Sequence, residues 1–184
     1  GKFKEAIQSY YKAISLKPNY ADSYINMGLA LKDEGKLGEA IEAYNKALLL
    51  NPDYVEGYIN MGAALRDQGK LEEAIEVYNK ALSLNPDYAE AYINMGVTLR
   101  DQGKLEEAIE VYNKALSLNP DYAEAYINMG LALKDQGKLG EAIEVYNKAL
   151  SLKPDYAEAY GNMGGVFKDQ GKLEEAIEAY NKCI

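Results

Sequence analysis

The chain has 184 residues, 29 acidic against 20 basic, giving a formal net charge of −9 at pH 7. That balance offers no basic surface for counterion-release binding of nucleic acid, and no apolar run approaches the ~18 residues that a membrane-spanning helix needs. With no histidine and a single cysteine, Cys183, the sequence lacks the commonest general base, an internal disulfide and any paired-cysteine metal motif.

In chain order, the first predicted element is an unpaired helix over about 3–16, with an apolar stripe at Phe3, Ile7, Tyr10 and Ile14. From there the chain becomes periodic. Pro18, Pro52, Pro86, Pro120 and Pro154 stand 34 residues apart, and the intervening sequence repeats with them. Blocks 21–54, 55–88, 89–122 and 123–156 are complete copies, 1–20 is a half copy and 157–184 a truncated one. Residues 55–88 and 89–122 differ at only four positions, 55/89, 57/91, 63/97 and 64/98. A period of this length implies one small unit stacked on its neighbours as a single array. The chain opens at Gly1, partway through a copy, so the N-terminus of the parent protein is expected upstream.

Each copy carries two helical stripes. In the first complete copy these are Tyr24, Met27, Gly28 and Leu31, then Leu37, Ala40, Ile41, Tyr44, Ala47 and Leu48. Gly35 between them suits a left-handed C-terminal cap, and Asn51-Pro52 ends the second stripe because a residue before proline disfavours helical geometry. Asp53 with Glu56 three residues on reads as a capping box, repeated at Asp87/Glu90, Asp121/Glu124 and Asp155/Glu158. The pattern therefore predicts eleven helices, the first followed by five pairs beginning near 20, 54, 88, 122 and 156. Gly28, Gly62, Gly96, Gly130 and Gly164 each cost roughly 1 kcal/mol of helix propensity, which close helix–helix approach would offset. The tyrosines of the stripes are expected in the packing, and Cys183, at the place held by Ala47, is expected to be a small buried side chain.

Counted from Ala21, every complete copy shows Tyr at its fourth position, Met at 7, Gly at 8, Ala at 20, Tyr at 24, Ala at 27 and Pro at 32. This pattern resembles the tetratricopeptide repeat (TPR), and the likeness runs the length of the chain. The resemblance implies an all-α fold, an α-solenoid of antiparallel helix pairs winding into a right-handed superhelix. It also implies that the first helix of each pair lines a concave face where partner peptides bind. Tyr-Ile-Asn-Met-Gly at 24–28, 58–62, 92–96 and 126–130, with Tyr-Gly-Asn-Met-Gly at 160–164, is similar to the repeat region of O-linked N-acetylglucosamine transferases. There such asparagines form a ladder holding peptide backbone.

Asn26, Asn60, Asn94, Asn128 and Asn162 are thus the leading candidates for peptide contact. Asparagine is a poor mid-helix residue, and its amide donates and accepts as a peptide group requires. The structural alternative is that each asparagine bonds to the adjacent helix pair. Ile25, Ile59, Ile93 and Ile127, with Leu29, Ala63, Val97 and Leu131 four residues on, are expected to form an exposed apolar strip beside the ladder. The alternative is that packing covers them. Gly161 and Gly165 interrupt the strip in the last copy. Each of Lys32, Arg66, Arg100, Lys134 and Lys168 is followed by an aspartate, expected to pair with a cation of the neighbouring copy.

The function expected is a non-catalytic protein-interaction scaffold that binds an extended protein or peptide segment. It needs no cofactor or metal, touches neither nucleic acid nor membrane, and resides in the cytoplasm. Two alternatives stay open. One is the substrate-recognition arm of a larger transferase of the kind named above. The other is a self-assembling array, because the apolar stripes ending at Ile184 and beginning at Phe3 have no covering helix and invite end-to-end association.

Overall fold

The computed structural model describes residues 2–183, with side chains from Lys4 to Cys183. The side chains of Phe3 and Ile184, both part of the expected end stripes, lie outside the described residues. Eleven helices and no strand occur among those described. Helix α1 (Lys2–Leu16) is followed by first helices α2 (Ala21–Asp33), α4 (Val55–Asp67), α6 (Ala89–Asp101), α8 (Ala123–Asp135) and α10 (Ala157–Asp169). Their second helices are α3 (Leu37–Leu50), α5 (Leu71–Leu84), α7 (Leu105–Leu118), α9 (Leu139–Leu152) and α11 (Leu173–Asn181). Contacts group the chain into two compact units, one ending at Asn94 and the other beginning at Met95, so the division falls inside α6.

Each first helix ends as its glycine predicts. Gly35 has φ +79°, its N–H donates to Lys32 O at 2.9 Å, and Lys36 N–H donates to Leu31 O at 2.9 Å. This pair of bonds is the Schellman closure, and it recurs at Gly69, Gly103, Gly137 and Gly171. Second helices stop where proline requires. Asn51 and Asn119 are extended, with φ −138° in both.

The helix starts differ from the expected capping box. The N-caps are Tyr54, Tyr122 and Tyr156, and none makes a side-chain cap bond. Asp53 lies one residue too early, because a backbone bond closes the turn around the proline, Tyr54 N–H donating to Asn51 O at 3.3 Å and Tyr156 N–H to Lys153 O at 3.1 Å. Asn51 Oδ1 accepts the Asp53 N–H at 3.4 Å, and Asn119 does the same for Asp121 at 3.2 Å. This Asx turn accompanies the start where asparagine precedes the proline, and Lys153 gives the same tyrosine start without it.

Within a pair, packing centres on the tyrosine of the second helix. Tyr44, Tyr78, Tyr112 and Tyr146 are completely buried. A Cβ on Gly28 would lie 2.5 Å from Tyr44 Cε1, and one on Gly164 2.6 Å from Tyr180 Cε1. The helical glycines therefore exist to admit a tyrosine ring, which supplies the close approach expected of them. Between neighbouring pairs a second small position matters. Ser23, Gly57, Ala91, Ala125 and Ala159 are all buried. A Cβ on Gly57 would stand 2.9 Å from Leu48 Cδ2 and 3.1 Å from Ile25 Cδ1. Fully burying an aliphatic side chain contributes about 1.5–3 kcal/mol, and each seam buries several.

Candidate functional site

The mid-helix asparagines sit at equivalent places on their helices, and first helices of successive repeats touch within each unit, α2 with α4 and α8 with α10. In the first unit Asn26 is exposed and Asn60 and Asn94 are half-buried; in the second, Asn128 and Asn162 are half-buried. Asn162 Nδ2 is shielded from solvent and has no hydrogen-bond partner in the protein. A shielded amide donor is expensive to leave unmatched, so this N–H would donate to any carbonyl that reached it.

The isoleucines beside them are not on an open surface, which corrects the expected apolar strip. Ile25, Ile59, Ile93 and Ile127 are only 5, 5, 4 and 1 % exposed. The reason is the small residue on the following first helix. Gly57 lets α4 approach so closely that Ile25 is covered by it, and Ile127 belongs to the same packed cluster as Ala159. Ile25 and Ile127 are therefore seam residues that hold repeats together within their units, and Ile59 and Ile93 are equally buried. Val97 and Leu131, like Leu29 and Ala63, are half-buried and keep part of their surface. The sequence could have signalled this. The position two residues before each isoleucine holds only Ser, Gly or Ala in every copy.

Electrostatic contacts tie repeats to each other. Arg100 Nε lies 3.8 Å from Asp135 Oδ2, and Lys134 Nζ lies 3.4 Å from Asp169 Oδ2. These are the cross-repeat pairs expected of the cation–aspartate motif. Arg66 and Arg100 also engage the aspartate of their own turn, Asp67 at 2.9 Å and Asp101 at 3.9 Å. In the first unit Tyr54 Oη donates to Asp22 Oδ1 at 2.9 Å. That bond, with a smaller effect of burial, pushes the Tyr54 phenol up to about 12. Burial raises the phenols of Tyr44 and Tyr146 as well. Cys183 is half-buried and free. No group of acidic or cysteine side chains suited to a metal ion occurs among the described residues.

Stacked helix pairs with this seam define a helical-repeat protein of the solenoid class. The chain belongs to the TPR repeat family, whose model matches residues 1–34, 28–65, 62–99, 96–137 and 130–171. Among solved structures it is similar to MamA, at 32% identity over 85% of this chain and 92% of that one, with a TM-score of 0.73. MamA from Desulfovibrio magneticus RS-1 matches at 25% identity over 89% of this chain and 92% of that one, with a TM-score of 0.76. YrrB, described as a TPR protein with an unusual peptide-binding site, is 26% identical over 97% of this chain and 92% of that one, with a TM-score of 0.69. No curated protein matches the chain.

Proposed function

We propose that the chain is a non-catalytic protein-interaction scaffold, and that the asparagine positions of its first helices hold the backbone of an extended peptide. The observation carrying this reading is the recurrence of an accessible or half-buried asparagine at one helical position, with the Asn162 Nδ2 donor unmatched inside the protein. The likeness to YrrB, a peptide-binding TPR protein, supports the same reading. Amide side chains recognise peptide groups irrespective of the side chains those groups carry, so selectivity would come from neighbours such as Val97 and Leu131. Catalysis has no support in the residues, since the acidic pairs Glu72/Glu73 and Glu106/Glu107 are exposed in first turns, where the helix dipole favours them.

The test uses a peptide selected by display against the wild-type chain. Replacing Asn60, Asn94 and Asn128 together by alanine should weaken its binding by about 1 kcal/mol for each hydrogen bond lost. The melting temperature should hold or rise, because alanine is the better helix former. Unchanged affinity, or a large loss of melting temperature, would assign these asparagines to structure.

A further inference from the structure

A cavity of about 420 Å³ opens in the first unit between α1, α2 and α3. Its floor is Met27 and Leu31 of α2, and Tyr24 forms one wall. It is independent of the asparagine positions. Because the chain repeats itself, its other copies show what makes this place unusual. Ala43 stands on the cavity wall where α5, α7 and α9 carry Val77, Val111 and Val145. Tyr11 stands where the later copies have Asn45, Asn79, Asn113 and Asn147, and Leu49 where they have Ser83, Ser117 and Ser151. Three departures from the repeat thus converge on one cleft, one removing bulk from the wall and two adding apolar surface at the mouth. Tyr11 is 53% and Leu49 76% exposed, costly positions for apolar groups that nothing covers.

The last copy supplies an internal control. It also has alanine at the wall position, Ala179, and a cleft lined by Tyr160, Met163 and Phe167 recurs there. That cleft holds only about 140 Å³. It has Asn147 where the first unit has Tyr11 and the bulkier Phe167 where the first unit has Leu31, so the larger cleft goes with the added mouth residue and the slimmer floor together.

Charge selects the occupant. The rim carries Glu39 and Glu42 against one cation, Lys46, on a chain of net charge −9. The exposed apolar face of a second copy, Leu173 and Ile177 on α11, is flanked by Glu174, Glu175 and Glu178 and would meet like charge. We propose that this cleft is a docking site for a basic peptide segment, which inserts one aromatic or large aliphatic side chain between Tyr11, Tyr24 and Leu49 and sets its lysines or arginines against Glu39 and Glu42. A buried anchor ringed by complementary charge is the arrangement that concentrates binding energy in few residues.

The probe is the synthetic peptide acetyl-Lys-Lys-Leu-Trp-Lys-Lys-amide. The protein contains no tryptophan, so a blue shift of the peptide's emission reports burial of its indole directly. Binding to the full chain should saturate, weaken with salt, and disappear when the peptide lysines are replaced by glutamate. The triple variant Tyr11→Asn, Ala43→Val, Leu49→Ser installs residues the chain already uses elsewhere, and should weaken binding about tenfold or more, the scale of a lost anchor pocket. Glu39→Gln with Glu42→Gln leaves the cleft shape intact and should flatten the salt dependence. That pair decides the matter if the triple variant melts early. Absence of saturable binding, equal binding of the glutamate peptide, or unchanged affinity and salt dependence in the variants would overturn the proposal.

Discussion

Tyr44 shows how one side chain serves two opposed demands. Its ring fills the space against Gly28, while its hydroxyl is shielded and finds no hydrogen-bond partner. An unmatched buried hydroxyl costs about 1–3 kcal/mol. Tyr44→Phe keeps the ring and removes the cost, so urea denaturation should show unchanged or higher stability, by up to about 1 kcal/mol. Tyr54 behaves in the opposite way, because its hydroxyl is bonded to Asp22. Its phenol is raised from about 10 in the unfolded chain to about 12 in the folded one. A raised value favours the protonated form in the folded state. The stabilisation is therefore complete below pH 10 and is lost between pH 10 and 12. Urea midpoints followed across that window should fall less steeply for Tyr54→Phe than for the wild type. Parallel curves would show that the Asp22 bond carries no stability.

At the scale of the element, two buried glycines separate propensity from packing. Gly28→Ala would gain about 1 kcal/mol of helix propensity, yet its methyl would enter the ring of a fully buried tyrosine. Overpacking of that kind costs about 1–3 kcal/mol or more, so the net effect should be destabilising. Gly57→Ala meets instead the tip of Leu48, a side chain that can turn aside, and the chain itself accepts Ala91, Ala125 and Ala159 at this place. It should stabilise by roughly 0.5–1 kcal/mol. Chemical denaturation of both variants checks the pair, and a stabilised Gly28→Ala would refute the packing account. Cross-repeat ion pairs such as Lys134–Asp169 are half exposed and should add only ~0.2–1 kcal/mol each, declining with salt.

For the whole molecule, the face of α11 stands out. Leu173 and Ile177 are 63 and 60 % exposed, whereas the same positions on α9, Leu139 and Ile143, are half-buried beside α10. The repeat thus supplies its own picture of what the α11 face would pack against. Apolar burial at ~25 cal/mol per Å² favours covering it, while a net charge of −9 opposes contact between copies. Sedimentation velocity should accordingly reveal self-association that strengthens with both concentration and salt, and that Ile177→Glu removes. A monomer at every concentration and salt level would show that charge repulsion prevails. The same negative charge predicts no appreciable calorimetric binding of peptides ending in several carboxylates.

The all-α solenoid, its eleven helices and the stops at Gly35 and Asn51 were all legible in the sequence, because caps, proline and the helical period act over a few residues and the repeat states them five times. The need for glycine at 28, 62, 96, 130 and 164 was legible too, since its cost demanded a compensating contact. What required tertiary structure were the features set by distance between helices. Asp53 has the composition of a cap, but the turn around the proline closes through the backbone, Tyr54 N–H to Asn51 O and likewise Tyr156 N–H to Lys153 O, leaving the tyrosine at the helix start. Ile25 has the placement of a surface residue, but a small side chain on the next first helix brings that helix over it. The N-terminal cleft needed both levels. Tyr11, Ala43 and Leu49 are visible in the sequence as departures from the repeat, yet they lie up to two helices apart along the chain. Only the packing of α1, α2 and α3 brings them around one cavity.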